Sequence, residues 1–447
     1  MYRKAIGELI AWKTSPRRKP LILKGARQVG KTWLMNEFAD KEYEDSIYIS
    51  FDRDAEAARI FDETKDTKLI LQRLALIRGK TVMPEKTLII FDEIQECPNA
   101  LGSLKYFNEE ANEYHVIAAG SLLGTYLSTP ASYPVGKVKL LSVYPLSFEE
   151  YLAAADSGMY QYYCGVESGK DYVSAFHSRM MEHYRKYLII GGMPECVQNW
   201  VTYEDPEEIN KIQGEIVSLY ENDFTKHGDK VNSGRILQVF RSIIPQLAKE
   251  NSEKFVYAAI AKSARARDFE AAIEWLVSSG IAHRITNISR PEYPIRAYEI
   301  FKNFKLFLLD VGLVKHIAQL TNRSIMLSES FQFKGQLVEN YVLEQMLPLF
   351  DYPPNFYSFA QDREIDFIVQ QGNMVIPIEV KAGENKNAVS FKSYIKKYKP
   401  EAAVRLSAMG YMVNGAITNV PLYFAGKLFE LISSGEDHTF FTANNER

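Results

Sequence analysis

A glycine-rich loop that ends in lysine and threonine carries the most specific chemistry in the chain. Residues 25–32 read Gly-Ala-Arg-Gln-Val-Gly-Lys-Thr and match the G-x-x-x-x-G-K-[ST] pattern of phosphate-binding loops. The glycines let backbone N–H groups turn toward phosphates, and the start of the next helix adds partial positive charge. We expect Lys31 to reach the β- and γ-phosphates of ATP and Thr32 to bind Mg²⁺. The residues expected to contact the nucleotide are Gly25, Ala26, Arg27, Gln28, Val29, Gly30, Lys31, Thr32 and Trp33.

Two carboxylates follow an apolar run and supply the second half of this chemistry. Thr87–Phe91 is typical of a buried parallel strand, and Asp92 and Glu93 come directly after it. Ligands of open α/β sheets gather at the carboxyl ends of strands. Asp92 is therefore expected to bind or support Mg²⁺, and Glu93 to polarise the attacking water.

A third apolar run, His115–Ala119, leads into Gly120 and Ser121. A polar side chain at this strand end would sense the γ-phosphate, which makes Ser121 a candidate. Ser121 is equally explained as the cap of the following helix.

The elements that must position these residues alternate between strand and helix in the first third of the chain. Pro20–Lys24 predicts the strand before the loop, and Trp33, Leu34 and Phe38 give the helix after it an apolar face. Another strand is expected at Ser46–Phe51. This alternation predicts an α/β nucleotide-binding core over residues 1–150.

The middle of the chain reads as helical and then as a winged helix. Residues 151–232 are rich in tyrosine and predict a helical lid or linker. Residues 233–325 predict three helices and a β hairpin, with elements at Ile236–Lys249, Phe255–Ser263, Asp268–Ser278, Ala282–Asn287 and Leu306–Leu309. The third helix carries Asp268, Glu270 and Glu274, which would repel phosphates in a DNA groove. A structural or docking role is therefore favoured over DNA reading.

A second candidate site lies in residues 326–447. A turn at 371–373 predicts a hairpin, and alternation along its second strand puts Glu379 and Lys381 on one face. Asp366 on the first strand can reach that face, and Glu339 on a preceding helix can add a carboxylate. Two or three carboxylates beside a lysine suit a divalent metal such as Mg²⁺ and phosphate chemistry of the nuclease type.

Two structural explanations compete with this second site. A hairpin at a sheet edge can carry Glu379 and Lys381 as a surface ion pair. A basic helix near 388–399 can face nucleic-acid phosphates or simply be solvated. Its lysines and the one just before it are Lys386, Lys392, Lys396, Lys397 and Lys399.

Composition limits the remaining classes. The 447 residues carry a net charge of -3, which gives no global attraction to nucleic acid or anionic membrane. No apolar run approaches the ~18 residues of a membrane span, and the N-terminus lacks the apolar core of a signal peptide. The three cysteines are widely spaced and fit neither a disulfide framework nor a metal site. We expect a cytoplasmic protein without a membrane partner.

These motifs together resemble a known family. The phosphate loop, Phe91–Gln95, Pro145–Tyr151, Gly191–Glu195 and Asp310–Leu313 are similar to those of prokaryotic AAA-type ATPases that carry a C-terminal domain of unknown function. The resemblance covers nearly the whole chain. It implies an AAA-like P-loop NTPase core, a winged-helix middle and a C-terminal α/β domain of restriction-endonuclease type, similar to PD-(D/E)xK nucleases.

The resemblance also assigns residues. It implies that Lys31, Thr32, Asp92 and Glu93 serve the ATPase, and that Asp366, Glu379 and Lys381 match the nuclease positions, with Glu339 as the helix carboxylate. Relatives often have an arginine after the glycine at position 136, where this chain has Lys137, so no arginine finger is assigned there.

The resulting hypothesis is a Mg²⁺-dependent ATPase that acts as a nucleotide-controlled switch, with a nuclease-like domain directed at DNA or RNA. Oligomerisation is left open. Three alternatives also remain open: an active ATP-gated nuclease, an ATP-dependent scaffold whose C-terminal domain only binds nucleic acid or protein, and a C-terminal domain that senses or inhibits the ATPase.

Overall fold

The computed structural model describes residues 1–120, 134, 136–226, 230–249, 254–262, 264–327, 333–359, 363–383 and 389–432. The described residues form two compact units. The N-terminal unit contains residues 2–145 and 271–281, and the C-terminal unit contains residues 146–270 and those after 281. The four-part division of the sequence stays a prediction.

The N-terminal unit is built on a five-stranded sheet in the order β2-β3-β4-β1-β5, in which all neighbours are parallel. Every residue of the central strand β4 and of its neighbour β3 is buried. The carboxyl ends of these parallel strands share one edge, where the predicted chemistry should gather. The strands are β1 (Leu21–Lys24), β2 (Asp45–Ser50), β3 (Thr87–Asp92), β4 (His115–Gly120) and β5 (Lys139–Ser142).

Helices flank this sheet, as parallel connections require. They are α1 (Ala5–Thr14), α2 (Lys31–Glu42), α3 (Ala55–Glu63), α4 (Thr67–Arg78) and α5 (Pro98–Glu110). The predicted α/β core with a parallel sheet is confirmed. Ser121 lies outside the described residues, so its role stays a prediction.

The C-terminal unit is mainly helical before its sheet begins. Its helices are α6 (Phe148–Ala155), α7 (Ser157–Gly165), α8 (His177–Ile190), α9 (Pro194–Tyr203), α10 (Pro206–Lys226), α11 (Lys230–Leu247), α12 (Ala266–Ser278, whose last residues belong to the N-terminal unit), α13 (Val311–Ile317), α14 (Asn322–Met326), α15 (Lys334–Met346), α16 (Val389–Tyr398) and α17 (Leu428–Ile432). The helix expected at Phe255–Ser263 is wrong for the residues described there, which form only a 3-10 turn at Tyr257–Ala259. Phe255 instead stacks on Phe304, and the N–H of Val256 donates to the side chain of Gln246.

The glycine and aspartate motifs of this unit are explained by close packing. A Cβ on Gly191 would lie 2.3 Å from Oδ1 of Asp310, and one on Gly192 would lie 2.1 Å from the carbonyl oxygen of Leu146. Asp310 accepts hydrogen bonds from the N–H of Gly192 at 2.6 Å and of Leu313 at 2.9 Å. These contacts hold α8 against α13, so the motifs position helices in this unit.

One sheet of eight strands runs through the C-terminal unit in the order β12-β13-β11-β10-β9-β8-β6-β7. Its strands are β6 (Ala282–Ile288), β7 (Glu299–Leu308), β8 (Asn355–Ser358), β9 (Glu364–Gln371), β10 (Met374–Lys381), β11 (Ala403–Ser407), β12 (Met412–Asn414) and β13 (Ile417–Pro421). The predicted wing hairpin is β6 and β7, and it joins this sheet where Asn287 pairs with Phe356. Strand β10 lies between antiparallel β9 and parallel β11, so it is an interior strand.

Candidate functional site

The phosphate loop connects β1 to α2 through a chain of unusual backbone conformations. Gly25, Gln28 and Gly30 all have positive φ angles, and α2 begins at Lys31 directly after Gly30. A Cβ on Gly25 would lie 2.2 Å from the carbonyl oxygen of Val143, so only glycine fits there. The loop therefore has the strand–turn–helix geometry that presents backbone N–H groups to phosphates.

Lys31 lies inside the loop that it serves. Its Nζ donates hydrogen bonds to the carbonyl oxygens of Gly25 at 2.8 Å and Ala26 at 2.7 Å, and the residue is 8% exposed. Burial lowers the pKa of Lys31 to about 8, and the nearby carboxylates of Glu93 and Asp92 oppose this shift. The loop thus holds a buried ammonium group at the place where phosphates would bind.

Asp92 ties the loop to the end of β3. Its Oδ2 accepts hydrogen bonds from the Thr32 hydroxyl and from the Tyr48 hydroxyl, both at 2.7 Å. Its Oδ1 accepts from the N–H of Glu93 at 3.0 Å. Hydroxyl and carboxylate oxygens are the ligands that Mg²⁺ prefers, so the pair of Thr32 and Asp92 fits that ion.

Glu93 is held in a strained position at the same strand end. Its φ of 48° lies in the left-handed region, which is uncommon for a residue with a side chain. Gln95 Nε2 donates to Glu93 Oε2 at 2.5 Å. The charge of Glu93 raises the pKa of Lys31 more than that of Asp92 does, which places its carboxylate beside the phosphate loop.

The remaining predicted loop residues differ in exposure. Ala26 and Val29 are buried, whereas Gln28 and Trp33 are exposed to solvent. Arg27 is partly exposed and lies near enough to Lys31 to lower its pKa. Lys137 forms an ion pair with Glu109 at 2.8 Å, which satisfies its charge within the unit.

Sequence reasoning missed two residues that support this site. Arg3 is 5% exposed and donates to the carbonyl oxygens of Val29 at 2.9 Å and Tyr144 at 2.7 Å, so it fixes the loop from behind. Tyr48 reaches Asp92 from the neighbouring strand β2. Neither lies in a motif, and only the parallel order of β2 and β3 brings Tyr48 to Asp92.

The second candidate site lies on the carboxyl half of β10. The antiparallel register pairs Ile378 with Phe367, so Glu379 lies opposite Asp366 one step further on. Asp366 Oδ2 accepts from the N–H of Val380 at 2.7 Å, and Lys381 Nζ lies 2.6 Å from Glu379 Oε1. The expected meeting of these three side chains is present.

The alternative of an ion pair between Glu379 and Lys381 is correct for the contact and wrong for its position at an exposed sheet edge. Strand β10 has a neighbour on each side, and the Glu379 side chain is only 4% exposed. Lys381 is more open, with 31% of its side chain exposed. A buried carboxylate on an interior strand requires compensation, which nearby cations provide.

Further charges surround this pair, and we call the whole group the carboxylate cluster. Glu364 on β9 forms an ion pair with Lys305 on β7, and Arg405 on β11 pairs in register with Glu379. Its members are Lys305, Glu339, Glu364, Asp366, Glu379, Lys381 and Arg405. Lys305, Glu364 and Arg405 were missed as site residues, because tertiary pairing alone brings them together.

Crowding and burial shift the titration of the acidic members. Burial and the charge of Asp366 raise the pKa of both Glu339 and Glu379 to about 8, while Lys381 opposes the shift in each. Burial raises the pKa of Asp366 as well. The carboxyl groups of the cluster therefore resist full ionisation, and an additional positive charge nearby would make their ionised forms more stable.

The fit of a metal ion to the cluster is partial. No group of three or more acidic, histidine or cysteine side chains in the described residues is spaced to hold a metal ion. The donor chemistry nevertheless suits a divalent cation, and Glu379 Oε2 is buried without a hydrogen-bond partner among the described residues. The basic helix α16 presents exposed Lys392, Lys396 and Lys397, and exposed Lys399 follows it, while Lys386 lies outside the described residues.

The acidic residues of the predicted recognition helix have partly structural roles. Glu270 accepts from the Tyr257 hydroxyl at 3.1 Å and from Arg284 at 3.0 Å. It is thus held against the base of the hairpin, as a docking role for this helix would require.

Comparisons with known proteins agree with the first site. Residues 17–152 match the AAA domain family, and residues 181–324 and 334–425 each match a domain of unknown function, DUF8612 and DUF4143. The AAA-type part of the sequence resemblance is confirmed. No match to the chain was found among curated proteins.

Three solved structures show a distant and partial likeness to the chain. An ORC1 protein from Aeropyrum pernix in complex with DNA has 12% identity and a TM-score of 0.29, covering 71% of this chain and 92% of its own. A STAND protein with a tetratricopeptide repeat sensor from Pyrococcus horikoshii has 12% identity and a TM-score of 0.27, covering 78% of this chain and 46% of its own. Cdc6p from Pyrobaculum aerophilum has 12% identity and a TM-score of 0.23, covering 72% and 91%. Scores this low do not establish a shared fold over the chain.

None of the helices in the described residues is long and apolar enough to cross a membrane.

Proposed function

We propose that the N-terminal unit binds and hydrolyses ATP with Mg²⁺ and that the protein is a nucleotide-controlled switch. The observation that supports this most strongly is Lys31, buried within a glycine loop whose following Thr32 hydroxyl is bonded to Asp92. A loop of this kind supplies the amides, the lysine and the Mg²⁺ ligand that nucleoside triphosphates need. The family match over residues 17–152 supports the same assignment.

The residues divide the hydrolytic work. Thr32 and Asp92 would hold Mg²⁺, which would supply positive charge to neutralise the phosphate oxygens. Lys31 would exchange its carbonyl partners for the β- and γ-phosphates, and the loop N–H groups would hold the remaining oxygens. Glu93 would orient a water for in-line attack, from the position that its strained backbone gives it. No arginine finger is assigned, so the intrinsic rate of ATP hydrolysis is expected to be ~10³-fold or more below the rate of an enzyme that has one.

The test of this proposal removes the buried ammonium group. Lys31→Ala should lower ATP affinity by about 100-fold, because charge-assisted hydrogen bonds to two phosphates are lost. Lys41→Ala is the matched control, since Lys41 lies on the same helix and pairs only at the surface with Glu37. Calorimetric titration of both variants with ATP and Mg²⁺ measures the effect. Equal affinity in the wild type and Lys31→Ala would contradict the proposal.

We propose a second activity for the C-terminal unit: metal-dependent chemistry on a nucleic-acid phosphodiester. The observation that favours it is the carboxylate cluster on an interior strand, with Glu379 buried beside Lys381 and opposite Asp366. A divalent cation would be held by Asp366 and Glu379 and would supply Lewis-acid chemistry, and the Glu339 carboxylate would add negative charge close to it. Lys381 would hold a phosphate oxygen or the attacking water. The lysines on and just after α16 would add affinity for DNA or RNA.

A scaffold role for the C-terminal unit is the competing proposal, and one experiment separates the two. Radiolabelled DNA and RNA are incubated with Mg²⁺ or Mn²⁺, with and without ATP, with wild type and Asp366→Ala. Cleavage that disappears in Asp366→Ala, and persists in the exposed control Glu401→Ala, supports catalysis. Salt-dependent binding without cleavage would support the scaffold, and absence of binding would favour an internal regulator of the ATPase.

A further inference from the structure

A cavity of about 420 Å³ lies in the C-terminal unit between α8, α15 and the residues that follow β10 and β11. No side chain of the carboxylate cluster is among the described residues that line the wall. Ala382 and Gly383, which continue the chain directly after Lys381, line it, as does Ala408 after β11. The cavity is therefore a neighbour of the cluster and has its own lining. Its size falls within the range of small-molecule sites.

Most of the wall is apolar. Met181 and Leu188 from α8 face Leu337 and Val338 from α15, and Ile325 closes one side. Met181 and Leu188 are nearly buried although they border open space. A wall of this kind suits the organic part of a ligand and does not by itself select its charge.

Two cationic side chains reach the same cavity. Arg185 on α8 and Lys334 at the start of α15 both line it. Burial lowers the pKa of Lys334, and the charge of Arg185 lowers it further. Lys334 is also the first residue of a 13-residue helix, where the helix dipole adds positive potential. Three sources of positive potential therefore converge on one cavity.

Two of the lining residues, Tyr184 and Arg185, each have a polar atom that lacks a hydrogen-bond partner among the described residues. These atoms are the Tyr184 hydroxyl and Arg185 Nε, and both are buried. Tyr184 is 3% exposed. Buried polar groups without a partner are uncommon in native proteins and often mark a place where a ligand or ion binds. Arg185 Nε can only donate and the Tyr184 hydroxyl can donate, so one acceptor group could satisfy both atoms.

We propose that this cavity binds a small organic phosphate of about mononucleotide size. The phosphate would accept from the Arg185 guanidinium and the Lys334 ammonium, and the apolar wall would contact the organic part. Phosphate is favoured because its double negative charge matches two cations and its oxygens match the planar donor fork of arginine. A bound ligand would contact the backbone that follows Lys381, beside the carboxylate cluster.

The test uses the full chain with Lys31→Ala, so that the phosphate loop does not contribute to the signal. Calorimetry measures the affinity of adenosine 5′-monophosphate, inorganic phosphate and adenosine. Arg185→Gln and Lys334→Gln are introduced separately, with Lys186→Gln as the control, because Lys186 lies on the same helix and pairs with Glu182 at 2.8 Å. Thermal unfolding midpoints check that each variant is folded. If Arg185→Gln does not fold, Lys334→Gln still tests the proposal.

We expect the affinity for adenosine 5′-monophosphate to fall about tenfold or more in each cavity variant and to stay within about twofold in Lys186→Gln. Inorganic phosphate should bind more weakly with the same ranking of variants. Equal affinities in all variants, or no binding of either phosphate at millimolar concentration, would overturn the proposal. Adenosine binding as tightly as its monophosphate would overturn the assignment of a phosphate ligand.

Discussion

The phosphate loop and the carboxylate cluster use similar charged residues but are assembled in opposite ways. The loop takes its geometry from consecutive residues, and one buried lysine lies among backbone carbonyls. The cluster draws side chains from α15, β7, β9, β10 and β11, and its carboxylates crowd one another. Burial disfavours the cation in the first site and the anions in the second. The phosphate loop should therefore fail when one residue changes, whereas the carboxylate cluster should lose metal affinity by degrees as its surrounding charges are removed.

The largest expected effect lies at Glu93. Glu93→Gln should keep ATP binding within about twofold and lower the rate of phosphate release by about 10³-fold, because the amide cannot act as a base toward water. Phosphate release and nucleotide affinity are measured on the same preparation. Glu96→Gln, an exposed neighbour on the same turn, is the control. Normal turnover in Glu93→Gln would remove Glu93 from the mechanism.

The contrast in assembly also explains what the sequence could predict. Gly25, Gly30 and Lys31 are neighbours in the chain, so their spacing alone specifies the turn and the lysine position. Alternation along one strand likewise placed Glu379 and Lys381 on one face, and the hairpin brought Asp366 opposite. Each of these predictions needed only local geometry.

Residues supplied by distant elements were beyond this reasoning. Arg405 reaches Glu379 only because β11 pairs parallel to β10, and Lys305 reaches Glu364 from β7. Arg3 and Tyr48 support the phosphate loop through the order of packing in the N-terminal unit. The helix expected at Phe255–Ser263 failed because aromatic stacking of Phe255 on Phe304 outweighed local helix propensity.

The next effect tests whether the loop depends on its buried support. Arg3→Met keeps the apolar stem but leaves the buried carbonyl oxygens of Val29 and Tyr144 without this donor. We expect the free energy of unfolding to fall by about 2 kcal/mol and ATP affinity to fall about tenfold. Urea unfolding and calorimetry measure both, with the exposed Arg17→Met as control. Unchanged affinity would show that the loop keeps its shape without Arg3.

A smaller effect concerns the dependence of stability on pH that follows from the burial of His115 in the N-terminal unit. Burial, with Arg18 and Lys13 nearby, lowers the pKa of His115 from its ordinary 6.5 to about 4. Between pH 6.5 and about 4, His115 is protonated in the unfolded chain and neutral in the folded unit. Stability therefore falls as the pH drops from about 6.5 toward 4. Near pH 4, His115 should lower the free energy of unfolding by on the order of 2 kcal/mol. His115→Gln keeps a partner for the Tyr43 hydroxyl and should flatten the dependence in urea unfolding. An identical pH dependence in the variant would mean that other groups dominate.

The smallest effect tests the distributed character of the carboxylate cluster. Glu339→Gln removes one carboxyl group, whose ionised form is disfavoured by burial and by the charge of Asp366. Asp366, Glu379 and Lys381 remain in place. Mn²⁺ affinity should fall by about threefold to tenfold, since the loss of one nearby negative charge weakens the attraction for a cation without abolishing it. The free energy of unfolding without metal at neutral pH should rise slightly, because burial and the charge of Asp366 disfavour the ionised form of Glu339, a cost that the neutral amide avoids. Calorimetry and urea unfolding measure these changes, with Glu401→Gln as control. Complete loss of Mn²⁺ binding would show that Glu339 is indispensable and that this cluster fails as abruptly as the phosphate loop. Equal affinity would exclude Glu339 from the ligand set and leave Asp366 and Glu379 to hold the metal from the hairpin alone.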